Sequence, residues 1–264
     1  MKCFFYTSIC LSLILSILIS DILSCIYLSL KYYKSIIEIK HQIDNSHPSF
    51  IKPICKIALP IAFTTYIKSG LSTIKTTIIP TSFILYGLSY NEALSIYGLI
   101  NGTIFTLILF PFTFIQSFNA LLLPKLSTYN PLTEKNKLKN ISSKCLKLTL
   151  IFAIISCTIL IVCAVPINKY LYPNLNILNY LKILSPIIIF IYLDNVIDSL
   201  LKSLNCQIIV MLINIVDLLT CILFIKFLIP IYGINGYIFI LYFSEIFNFL
   251  TSYFCLKHKL HKNN

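Results

Sequence analysis

Apolar residues dominate seven stretches of this chain, roughly 4–30, 54–80, 93–124, 144–172, 177–204, 207–229 and 231–256, with short polar segments between them. Each is long enough to cross a bilayer, since about 20 apolar residues span its hydrocarbon core as a helix. A helix is the form such a stretch must take, because an unpaired backbone N–H or C=O in lipid costs several kcal/mol. The pattern predicts an all-α fold, a polytopic transmembrane helix bundle of about seven spans. Pro60, Pro111, Pro166, Pro186 and Pro230 fall where spans start, kink or end, as expected of a residue that removes an i→i−4 hydrogen bond. The only polar linker of any length, 35–53, divides the first span from a block of six. This gives a first helix in 1–34, a cytoplasmic linker in 35–53, a six-helix lobe in 54–257 and a basic cytoplasmic tail in 258–264. Residues 134–147 read as a short amphipathic surface helix.

Composition agrees: 58% of residues are hydrophobic and 11% charged, with a mean hydropathy of +0.87. The net charge of +12 changes the picture only through its placement. Lysines concentrate in 31–56, in 125–147 and at 257–262, whereas 81–92, 173–181 and 230–236 hold none. Lys and Arg in short loops stay cytoplasmic, so this alternation predicts a multi-pass cell-membrane protein, N-terminus outside and C-terminus cytoplasmic. It leaves no basic surface for nucleic acid; membrane lipids are the expected surroundings. Lys2 and the sequence Ile22-Leu23-Ser24-Cys25 loosely resemble a lipoprotein signal, but Asp21 interrupts it and the run is long for such a signal. It reads as a retained helix.

Of ten cysteines none forms a Cys-x-x-Cys pair, so they read as small hydrophobes rather than metal ligands. His41, His47, His258 and His261 all lie in polar segments, and no Gly-rich phosphate loop or Ser/His/Asp set occurs. No enzyme, cofactor, catalytic residue or metal site is expected.

The informative residues are the charges inside the spans. A charge at helix centre costs about 2.5–3.5 kcal/mol on insertion scales, so each should face the bundle interior or a water-filled cavity. Asp194, Asp198 and Lys202 are spaced i, i+4, i+8 and share one helical face. They read as a polar stripe toward a substrate headgroup or partner helix, or as a structural ion pair with Lys202 snorkelling to the cytoplasmic side. Lys68 and Lys75, nearly two turns apart with Ser72 between them, would attract phosphates if aimed into a cavity; alternatively Lys75, near Pro80, reaches the outer interface. Asn214 with Asp217, and Glu245 with Asn248, are i, i+3 pairs that read as interhelical packing contacts. Asp217 could equally partner Lys226 or Lys68.

Several ordered blocks carry a family resemblance. They are Ile57-Ala58-Leu59-Pro60-Ile61-Ala62 with Tyr66 to Ile74, Leu88-Ser89-Tyr90-Asn91-Glu92-Ala93-Leu94, Tyr97-Gly98-Leu99-Ile100 and Leu109-Phe110-Pro111. Ser117 to Pro124, Tyr192-Leu193-Asp194 through Asp198, Leu201-Lys202, Gln207, Gly233 to Tyr237 and Ser244 to Phe249 continue the series. From about residue 10 onward the chain resembles the C-terminal lobe, with the preceding helix, of the stage V sporulation protein B family. These are polysaccharide flippases of the MATE-like MOP superfamily. The resemblance implies alternating access, two lobes rocking around a cavity to carry a lipid-linked oligosaccharide or peptidoglycan precursor across the membrane, in the service of the sporulating cell wall. It also implies a basic residue at Lys68, which matches, whereas Lys75 and Lys125 stand where acidic residues are usual and Cys221 where an arginine is common. One lobe supplies half a cavity, so the expectation is a split or shortened flippase subunit working with an N-terminal-lobe partner chain or as a homodimer. Alternatives are a non-transporting remnant or scaffold, and small-molecule efflux of the MATE type.

Overall fold

The structure, a computed structural model, describes residues 2–40, 51–128, 135–173 and 177–261. The middle of the expected linker and the last three residues of the tail lie outside these. Every element among the described residues is helical. They are α1 (Lys2–Lys40), α2 (Ile51–Leu85), α3 (Tyr90–Gly98), α4 (Phe105–Leu109), α5 (Phe112–Ser127), α6 (Lys135–Pro166), α7 (Leu178–Leu184), α8 (Ile188–Ser203) and α9 (Gln207–His261). π-Helical turns at Leu99–Ile104 and Ile167–Leu171 join α3 to α4 and extend α6, and a 3-10 turn, Ser185–Ile187, joins α7 to α8. The chain divides into two compact units, Met1–Ile54 and Cys55–Asn264.

Five helical stretches are long and apolar enough to cross a membrane: Ile14–Lys34, Tyr90–Leu109, Lys137–Leu171, Leu178–Ser203 and Gln207–Leu260. α2 has the length, but four lysines and a threonine-rich middle make it more polar than these.

α6 shows which solvent this surface suits. Its exposed positions include Leu148, Ile151, Ile155, Ile159 and Val162, while Thr149, Ala153, Ser156 and Ala164 are buried. Large side chains outside and small ones inside reverse the water-soluble pattern. In a bilayer this arrangement is favourable, because small residues let helices approach closely where lipid gives no hydrophobic drive to association. The helix that approaches is α8, which also meets α5 and α9 and so forms the centre of the second unit.

One expectation needs correction. Residues 134–147 do not form a separate surface helix; 135–147 are the opening turns of an α6 that runs unbroken to Pro166, because no Gly or Pro interrupts them. The stretch 93–124 is interrupted where Pro111 marked a start, kink or end. It breaks at Phe110–Pro111, where Pro111 takes the N-cap position of α5 and cannot donate back to α4. One carbonyl of the last turn of α4 finds a remote donor: the buried Tyr192 hydroxyl of α8 donates to Ile108 O at 3.0 Å. The Tyr192 ring lies against Phe112 and Phe152, at 5.4 and 6.1 Å between centroids. Tyr192→Phe removes the donor and keeps the ring. It is expected to cost about 1 kcal/mol, seen as a small fall in the thermal midpoint of the detergent-solubilised chain.

α9, at 55 residues, would reach about 80 Å if straight, well beyond the hydrocarbon core of about 30 Å. It does not run straight. Gly233 leaves helical geometry, at φ 56° and ψ −131°, and the legs on either side fold back on each other. Ser244 touches Asp217 and the rings of Phe224 and Phe243 lie 4.8 Å apart. The legs, 207–232 and 234–261, are therefore antiparallel. The second leg runs parallel to the segment made by α7 and α8, since Tyr242 donates to Ile183 O, Phe190 meets the ring of Phe249, and Ser252 reaches Asp198, in ascending order along both.

Candidate functional site

This topology gathers polar side chains of the second unit into one seam between α2, α8 and the two legs of α9. From α8, Asp194 is buried and Asp198 half-buried one turn on, on the face that meets α9. Ser252 of the second leg donates to Asp198 Oδ1 at 3.5 Å. From α2, Lys68 Nζ donates to Asn214 Oδ1 on the first leg at 2.8 Å, an interaction open to the surroundings. Asn214 Nδ2 donates to Val210 O at 2.8 Å and Asn214 lies beside Asp198, so Lys68, Asn214, Asp198 and Ser252 line up across four helical segments. Through space Lys68 faces Asp198, Lys202, Asp194 and Asp217. Thr64, one turn before Lys68, points its hydroxyl at Met211 Sδ, 2.8 Å away, which sets the crossing of α2 over α9.

A second node lies deeper in the hairpin. Ser244 Oγ stands 2.9 Å from both carboxylate oxygens of Asp217, which is itself buried. Cys221, one turn on, donates from its thiol to Asp217 Oδ1 at 3.8 Å, a weak bond. Lys75 and Glu245 are electrostatic neighbours of Asp217.

Of the nine residues singled out in the sequence, all belong to the elements that form this seam. Lys68 is bonded to Asn214. Asp198 takes a hydrogen bond from Ser252, with Asn214 and Lys202 its neighbours. Asp217 takes its short hydrogen bonds from Ser244 rather than from Lys68 or Lys226. Glu245 neighbours Asp217, and Asn248 lies one turn before Ser252. Two acceptor atoms here, Asp194 Oδ1 and Asn248 Oδ1, are buried with no hydrogen-bond partner among the described residues. Such orphans are rare in folded proteins, and both accept only, so a donor is what would complete them.

Several polar residues escaped the sequence reading. Asn119 of α5 donates to Asn195 Oδ1 at 2.7 Å, and Asn101 in the π-helical turn donates to the buried Tyr237 hydroxyl at 2.8 Å. Ser244 and Ser252 escaped because a serine carries no signal in hydropathy. Ser89 and Glu92 form a capping box at the start of α3, and their Ser-x-x-Glu spacing is readable in the chain. The eight cysteines whose side chains are described are free thiols.

Comparison with known protein families, with curated proteins and with solved structures returns no match to this chain.

Proposed function

We propose that this chain is a flippase-like membrane transporter subunit, its polar seam lining one side of a hydrated cavity for the headgroup of a lipid-linked polysaccharide or peptidoglycan precursor. The opposite wall comes from a second lobe, in another chain or a second copy. Counting α2, the α3–α5 segment and each leg of α9 as crossings gives seven spans, with the N-terminus outside and the C-terminus in the cytoplasm. The observation that carries the reading is the position of Lys68: a cation at an exposed edge of a membrane-embedded lobe, tied to Asn214 and beside Asp198. An ionisable group inside a membrane is costly and points to a functional site, such as a substrate or ion pathway. An ammonium suits a diphosphate, and the orphaned acceptors of Asp194 and Asn248 suit sugar hydroxyls. The sporulation and cell-wall assignment follows from the family resemblance alone.

A non-transporting membrane scaffold is the second reading, and one observation favours it: Asp217 is satisfied within the hairpin by Ser244, as a purely structural carboxylate would be. The two readings separate in a binding measurement. Full-length chain in detergent is titrated with a fluorescent polyprenyl-diphosphate-linked oligosaccharide. Saturable binding, displaced by the unlabelled compound and not by the bare polyprenol, is expected. Equal displacement by polyprenol would mean that only the tail is held, and the transporter reading would fall.

A further inference from the structure

Away from the seam, a groove runs between the opening turns of α6 and the closing turns of α9. Its outer part is a cavity of about 250 Å³ lined by Lys139, Ser142, Leu146, Tyr253, Lys257 and Leu260, with Ser143 and Leu256. Ser143, Leu146 and Tyr253 also line an adjoining cavity of about 340 Å³, which passes Lys147 and continues inward to Leu150, Leu193 and Phe249. The shared residues make the two cavities one groove. Its axis is set by the antiparallel run of the helices: Lys139 and Lys257 stand at one end, Leu150 and Phe249 at the other. Along α6 that is about 16 Å, from 11 residues at 1.5 Å rise.

The groove is therefore graded. One end offers two exposed ammonium groups and two serine hydroxyls, all able to donate hydrogen bonds. The middle has Tyr253, an amphipathic ring of the kind that sits at the membrane interface, stacked on Phe249 at 6.0 Å. The inner end is aliphatic and aromatic at Leu150, Leu193 and Phe249, with Lys147 of α6 at its side. Lysines near the ends of spanning helices reach toward the headgroup layer, and basic pockets between helices at that level suit phosphate headgroups.

We infer that this groove is a binding site for an anionic glycerophospholipid, with its phosphate between Lys139 and Lys257 and one acyl chain lying along Leu146, Leu150, Leu193 and Phe249. The charge, the hydroxyl donors and the apolar continuation suit such a lipid together. A free phosphate would leave the inner groove unused, and a zwitterionic lipid would bring its own cation to two lysines. The site uses none of the seam residues and stands whether or not the chain transports anything.

The test is native mass spectrometry of the full-length chain released from nanodiscs of phosphatidylcholine containing phosphatidylglycerol. Phosphatidylglycerol adducts are expected to be retained over phosphatidylcholine. In K139A/K257A that retention should fall about tenfold or more, since each lysine near an anionic lipid surface contributes about one such decade or slightly less. K139R/K257R should keep it, and K226A, an exposed lysine of α9 outside the groove, should behave as the unsubstituted chain. Equal retention in K139A/K257A and the unsubstituted chain would overturn the site. So would equal loss in K226A, or displacement of the lipid by inorganic phosphate alone.

Discussion

Gly233→Ala is expected to destabilise the second unit by about 2–4 kcal/mol, read as a lowered unfolding midpoint of the full-length chain in detergent. Two independent effects add at this position. The backbone sits at φ 56° and ψ −131°, a conformation natural only to glycine, and a Cβ there would stand 2.7 Å from the Tyr86 ring. The ring can swing aside; the backbone cannot relax without opening the hairpin. Gly236→Ala should behave alike for a different reason, since its Cβ would stand 2.7 Å from the Leu228 carbonyl oxygen of the opposing leg. The control is Gly70→Ala. A Cβ there meets nothing within 4 Å, and replacing glycine within α2 should be neutral or stabilising by about 0.5–1 kcal/mol. If the three variants lose stability equally, the hairpin does not depend on this turn.

The second large effect concerns Lys68. Lys68→Ala is expected to weaken retention of the lipid-linked oligosaccharide about 10–100-fold, the range for losing a hydrogen bond to a charged group, while shifting the unfolding midpoint little. Its exposed side of the seam is the reason: a cation on an open edge adds little to stability and much to capture of an anion. Lys68→Arg should retain most of the binding. The opposite split, with stability lost and binding kept, would make the Lys68–Asn214 bond a structural clasp and would favour the scaffold reading. Asp198→Ala should reduce both quantities together, because Asp198 takes a hydrogen bond from Ser252 within the fold and stands beside Lys68.

The position of Gly236 also shows why hairpin and seam depend on each other. The close approach of the two legs at Leu228 brings Asp217 opposite Ser244 and leaves Asn214 free to meet α2. A turn that opened by even one residue would rotate the second leg by about 100°, moving Ser252 off Asp198 and Ser244 off Asp217. The seam is thus a product of the turn geometry, and the turn variants should reduce oligosaccharide retention as well as stability.

What the chain alone determined is local. Apolar runs of spanning length marked the helices, the lysine-free segment 230–236 marked the turn now seen at Gly233, and the expense of charge in lipid picked out Asp194 and Asp217, which are buried, Asp198, which is half-buried, and Lys68, which stays exposed. Helical period says which residues share a face. It does not say which helix meets that face, and there the tertiary structure decided. Lys68 finds a partner 146 residues away, Tyr192 a carbonyl 84 residues away, and Asp217 a serine 27 residues away that hydropathy cannot see. The break at Pro111 was marked, yet only packing against α8 shows what satisfies the carbonyl beside it. The physical reason is common to all of these. Burial of apolar surface is additive along a chain and can be summed from residue types, whereas a hydrogen bond requires two groups within about 3 Å, a condition set by how whole helices cross.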